Sequence, residues 1–189
     1  MPLQSGSTDG YSPVAKFLHW VVAAGVFGMV PVGLYMVWRG AATDFDATTN
    51  TLYSTHKLIG FTLLWIILIR VVYRLRIGAP APAATLTRFE RIASTTVHHL
   101  LYVLLVAVPI MGWLGVSAYG ARDVFGLFSI PPLLADNQEL GEALLKVHRN
   151  LAIVLATFVA VHICGALMHG LIKQDGVINR MIGWWPLRK

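Results

Sequence analysis

The sequence predicts an all-α integral membrane protein, a four-helix up-and-down bundle that is a single transmembrane domain over residues 1–189. Three observations predict it. The chain is 56% hydrophobic and only 13% of its residues are charged, against about a quarter in a soluble domain, a deficit too large for a big core to explain. Its mean hydropathy is +0.65. Four apolar runs, about 17–38, 52–73, 97–118 and 147–172, each hold about 20 residues or more, enough for a helix to cross a ~30 Å hydrocarbon core.

The first run opens on His19 and Trp20. It is too long for the apolar core of a signal peptide and has no evident cleavage site, so it reads as a permanent helix. It contains Pro31, and the third run contains Pro109. Both prolines are tolerated in a membrane helix as kinks, because neighbouring groups satisfy the freed carbonyl. The second run exits through Arg70, Tyr73 and Arg74 into Gly78–Pro82, an extended connector. Between the third and fourth runs, Phe125-Gly126-Leu127-Phe128 marks a short surface element closed by Pro131-Pro132. The single cysteine, Cys164, excludes an internal disulfide and the c-type haem attachment motif, and is expected as a small buried apolar side chain.

Loop charges orient the bundle. The N-terminal tail, the connector between runs two and three and the C-terminal tail carry ten Lys and Arg residues, the other two loops with their flanks five. Asp44, Asp46, Asp123, Asp136, Glu139 and Glu142 lie on the poorer side. Both termini are therefore expected in the cytoplasm. The net charge of +6 sits in caps between apolar runs, not on one polar face, which argues against nucleic acid as a partner. Trp38, Trp184 and Trp185 read as interfacial anchors.

Seven histidines lie within or at the ends of the runs: His19, His56, His98, His99, His148, His162 and His169. Ionisable groups in a bilayer need a partner or a function. His148 and His162 are 14 residues apart, which is about 3.9 helical turns and ~21 Å of rise, so both point to nearly one face. His148 shares a depth with His56 near the outer ends of their helices. His162 shares one with His19 towards the inner side. Two histidine pairs at two levels suit two haems with axial imidazoles. No Asp or Glu lies well inside a run, so carboxylate-dependent zinc sites and proton relays fit less well. A haem-free channel or transporter with proton-accessible histidines is the alternative from a different class.

The ordered set His19-Trp20, His56 with Gly60, Ile69 to Arg74, His98 with Pro109, Phe125-Gly126-Leu127, His148 and His162 resembles the bacterial cytochrome b561 family. It is most similar to the short, superoxide oxidase-like members, and the likeness covers nearly the whole chain. Related b-type subunits of membrane hydrogenases and formate dehydrogenases share the histidine layout. The resemblance implies two haem b groups, His56 with His148 on the periplasmic side and His19 with His162 on the cytoplasmic side. It also implies electron exchange with ubiquinone in the membrane. The sharpest expectation is a superoxide:ubiquinone oxidoreductase fed from the periplasm. The alternative is a membrane subunit relaying electrons for a partner oxidoreductase or a soluble cytochrome. Lys57 and Arg149 would flank the outer haem, to attract a small anion, to pair with propionates or to snorkel to the interface. His98 and Arg74, with Arg70, are expected in supporting roles at the inner haem. His169 is expected near the inner surface.

Overall fold

The computed structural model describes residues 10–182. Four long helices dominate: α1 (Pro13–Thr43), α2 (Ala47–Ile77), α3 (Arg88–Tyr119) and α4 (Gln138–Leu167). All four are long and apolar enough to cross a membrane. α1, α2 and α3 extend beyond their apolar runs at both ends and α4 at its start, because hydropathy measures the crossing, whereas caps set the helix ends. Ser12 accepts from Ala15 N ahead of Pro13, Asp46 from Thr49 N, and Asn137 from Leu140 N. Thr87 and Glu90 form a reciprocal capping box on α3. Both α1 and α3 run unbroken through Pro31 and Pro109. Trp184 and Trp185 lie outside the described residues.

The α3–α4 loop holds the small element expected around Phe125, as a two-stranded antiparallel hairpin of β1 (Asp123–Val124) and β2 (Phe128–Ser129). Phe125 and Gly126 both take positive φ, 57° and 70°, the backbone of a tight primed turn. After α4 the chain makes a π-helical turn, Met168–Lys173, and a short helix α5 (Asn179–Ile182).

α3 packs most extensively on α4, and α1 on α2; a smaller α2–α3 contact joins the two pairs. Neither α1 nor α2 packs appreciably against α4. The core is one apolar layer: Val22 and Val26 of α1, Leu63 and Ile67 of α2, Leu101, Leu104, Leu105 and Val108 of α3, and Leu155 of α4. Leu155 stands midway between His148 and His162, so this layer separates the two histidine levels. Large apolar side chains such as Phe27, at 76% exposure, and Val103, at 64%, face outward as lipid contact requires. Cys164 also faces outward, contrary to the burial expected of it. Small apolar side chains cost nothing on a lipid face, so its chemistry alone did not decide which side of α4 it takes.

The loops away from the chain termini are tied down. Arg39 pairs with Asp46 at 2.6 Å across the α1–α2 turn, and Arg122 pairs with Asp136 at 2.6 Å beneath the hairpin. At the opposite end Lys173 bonds both oxygens of Glu90, at 2.7 and 2.9 Å, linking the end of α4 to the start of α3.

Candidate functional site

Five of the six histidines on α1–α4 gather at two levels. His56 of α2 and His148 of α4 face each other at the loop end of the bundle, ring centres 6.1 Å apart and planes at 89°. His19 of α1 and His162 of α4 face each other nearer the terminal end, 6.2 Å apart at 70°. Both pairs join helices that otherwise pack little on each other. Metal–imidazole bonds are about 2.0–2.1 Å, so two rings ligating one metal from opposite sides have centres about 6 Å apart. Among the described residues, His19 Nδ1 and His56 Nδ1 are buried without a hydrogen-bond partner. Buried polar nitrogens left unpaired are costly and mark a missing ligand or partner.

The rings are held from behind. His148 Nδ1 donates to the Val108 carbonyl oxygen at 2.8 Å. That bond leaves Nε2 with a free lone pair, the tautomer a metal-ligating histidine adopts. Gly112, one turn further on α3, makes room for the ring: a Cβ there would meet His148 Nδ1 at 3.0 Å. Gly33 of α1 does the same for His56, whose Cε1 would lie 3.2 Å from the added carbon. These donors and slots fit a flat prosthetic group with two axial imidazoles. Among the described residues no three His, Cys, Asp or Glu side chains converge to hold a bare ion.

His98 of α3 joins the inner level, its ring centre 5.1 Å from that of His162. Its Nδ1 donates to the Ser94 carbonyl oxygen at 2.6 Å. His99, next along, bonds the Thr95 carbonyl instead and belongs to neither pair. Trp20 packs edge-on to His19 at 5.3 Å. Arg70 lies close enough to interact electrostatically with His19, His98 and His162, and Arg74 with His98.

At the loop end, Lys57 does not stand free. Its ammonium donates to the carbonyl oxygens of Ala121 and Asp123, and Ser54 one turn earlier accepts from Phe125 N. Lys57 thus pins the hairpin onto α2 beside His56. Arg149 is exposed next to His148.

Sequence reasoning missed three partners. Asp175 binds His169 at 2.7 Å across the π-turn, with both side chains buried. The Val108 carbonyl and Ser54 likewise carry no motif. A π-turn shifts the helical register, so no i, i+4 spacing announces the His169–Asp175 contact.

A family model described as prokaryotic cytochrome b561 matches residues 10–184. Cytochrome b561 homolog 2 of Escherichia coli (strain K12) is 31% identical over 180 residues, covering 95% of this chain and 94% of that protein. Cytochrome b561 homolog 1 of the same organism is 24% identical over 181 residues, with 95% and 98% covered. The probable superoxide oxidase CybB of Yersinia pestis is 25% identical over 132 residues, covering 67% of this chain and 72% of that one. With four membrane-length helices and a family match over nearly its whole length, this chain belongs to the prokaryotic cytochrome b561 family, multi-pass bacterial inner-membrane electron-transfer proteins that bind b-type haem.

Proposed function

We propose that this protein holds two b-type haems, His56 with His148 at the periplasmic level and His19 with His162 at the cytoplasmic level, and oxidises superoxide while reducing ubiquinone. One observation carries the two-haem reading: each histidine pair brings two imidazoles opposite each other, ring centres about 6 Å apart, from helices with little direct packing on each other. The excess of Lys and Arg at the terminal end supports cytoplasmic termini. A relative named as a probable superoxide oxidase supports the choice of donor.

Bound haem supplies reversible one-electron chemistry that no side chain here can provide. The protein's own part is to hold and isolate. The four imidazoles hold the two groups at fixed levels, with His148 oriented by Val108. The apolar layer around Leu155 keeps water out from between them. Lys57 keeps the hairpin over the outer end of α2, and exposed Arg149 offers positive charge to an arriving anion. His98 and Arg74 line the inner level in support of the group bound there. The reaction balances as two superoxide and one quinone plus two protons giving two dioxygen and one quinol.

The purified protein should contain about two haem b per chain by pyridine haemochrome, as bis-imidazole ligation of two groups requires. It should reduce a soluble ubiquinone when superoxide is generated enzymatically, without any partner protein. A colourless preparation would sink the haem reading. A haem-loaded protein inert towards superoxide would instead make it a relay for another oxidoreductase.

A further inference from the structure

At the terminal end, Arg70 and Arg74 enter one cavity from α2, walled by Tyr11, Tyr73 and Tyr102. The Arg70 guanidinium lies over the Tyr102 ring, 5.4 Å from its centre, and that of Arg74 lies 5.6 Å from the centre of the Tyr11 ring. Tyr73 is fixed by a 2.8 Å hydrogen bond with Ser12. The cavity holds two cations and no described acid. Among the described residues, the acids of this end are committed elsewhere: Glu90 to Lys173 and Asp175 to His169. Arg74 donates to the Gly78 carbonyl oxygen. Among the described residues Arg70 has a ring beneath it and no anion against it.

A half-buried guanidinium next to imidazoles, at the edge of a membrane core, needs a counter-charge. Its planar fork suits an oxyanion. Two sources could supply one: a carboxylate of the inner haem, or the phosphate of an anionic lipid. The position of Arg70 decides between them. Its ring partner Tyr102 stands one helical turn from His98 on α3, whereas Arg74 lies over Tyr11, ahead of α1 and eight residues before His19. We propose that Arg70, steadied by Tyr102, binds a propionate of the inner haem, and that Arg74 guards the same cavity from its terminal side. This rests on the two-haem reading above. It moves the main supporting role from Arg74 to Arg70.

A cation held near a haem favours its reduction, because reduction adds negative charge. The test is a spectroelectrochemical redox titration of the haem-loaded protein in phosphatidylcholine vesicles, with and without phosphatidylglycerol. His19→Ala identifies the inner component. Arg70→Gln should shift the inner midpoint to more negative potential and leave the outer one in place. Arg70→Lys should keep most of the wild-type value, and Arg74→Gln should shift it less than Arg70→Gln. Unmoved potentials in Arg70→Gln would overturn the assignment. So would an Arg70→Lys protein that behaves like Arg70→Gln, because charge would then not be the cause. If the wild-type inner potential follows phosphatidylglycerol content and Arg70→Gln abolishes that response, the cavity is a lipid site instead. A failure of the two-haem reading shows separately, as the absence of two titrating components in the wild type.

Discussion

His148 of α4 donates its Nδ1 hydrogen to the main-chain oxygen of Val108 on α3, at 2.8 Å, across the most extensive helix contact in the molecule. The bond turns one imidazole into a fixture of the neighbouring helix. It also explains why Gly112 stands one turn beyond Val108, since the ring occupies the space a side chain would take.

Gly112→Ala should therefore displace His148, with a Cβ placed 3.0 Å from Nδ1 and 3.1 Å from Cε1. Overpacking of this kind costs about 1–3 kcal/mol. The expected result is a weakened or altered outer haem spectrum with the inner component retained. Gly28→Ala, with nothing within 4 Å of the added carbon, is the control and should leave both components unchanged. Visible spectra and haem content of the two purified variants check this.

Alanine substitutions should sort the histidines into two classes. His56→Ala and His148→Ala remove one spectral component, and His19→Ala and His162→Ala remove the other. Low-temperature difference spectra read the outcome directly. The assignment fails if His148→Ala and His19→Ala abolish the same band.

Lys57 is engaged with two hairpin carbonyls, so its loss should be felt in the loop. Lys57→Met should speed hydrogen exchange at the amides of Phe125 and Leu127, which are bonded to Ser54 and Val124. The salt dependence of superoxide-driven quinone reduction should change little in that variant. Arg149→Ala should lower the rate at low ionic strength and flatten its salt dependence, as removal of a steering charge does. Equal flattening by both variants would restore Lys57 to a steering role.

The Asp46 carboxyl is held below the usual carboxylate range, first by the Thr49 backbone N–H and also by its hydroxyl and by Arg39. Its folded pKa is depressed, so its contribution is fully present above the unfolded value, about 3.9. It is lost as pH falls through the folded value. Asp46→Asn keeps the capping oxygen but removes the charge. Thermal unfolding between pH 6 and pH 3 should accordingly fall less steeply in this variant than in the wild type.

How legible this protein is depends on which physical force writes each feature. Four membrane helices follow from hydropathy because lipid forces every backbone polar group to be satisfied within its own segment. The caps at Ser12, Asp46, Thr87 and Asn137 follow from local chemistry. The 14-residue step from His148 to His162 follows from helical periodicity, and it places both on one face of α4. The π-turn that buries His169 against Asp175 breaks that same periodicity and leaves no spacing to read.

By itself, then, the sequence determined the four membrane-length helices, their order and the face that His148 and His162 share on α4. The tertiary structure alone decided which faces meet. In a bilayer both the packed and the lipid-facing sides of a helix are apolar, so hydropathy does not say which way each turns. That is why Cys164 points outward against expectation, and why His98 rather than His99 joins His162. Lys57 shows the same limit in a loop: its charge is plain in the sequence, but the carbonyls that use it lie 64 and 66 residues away. Only the folded chain brings them together.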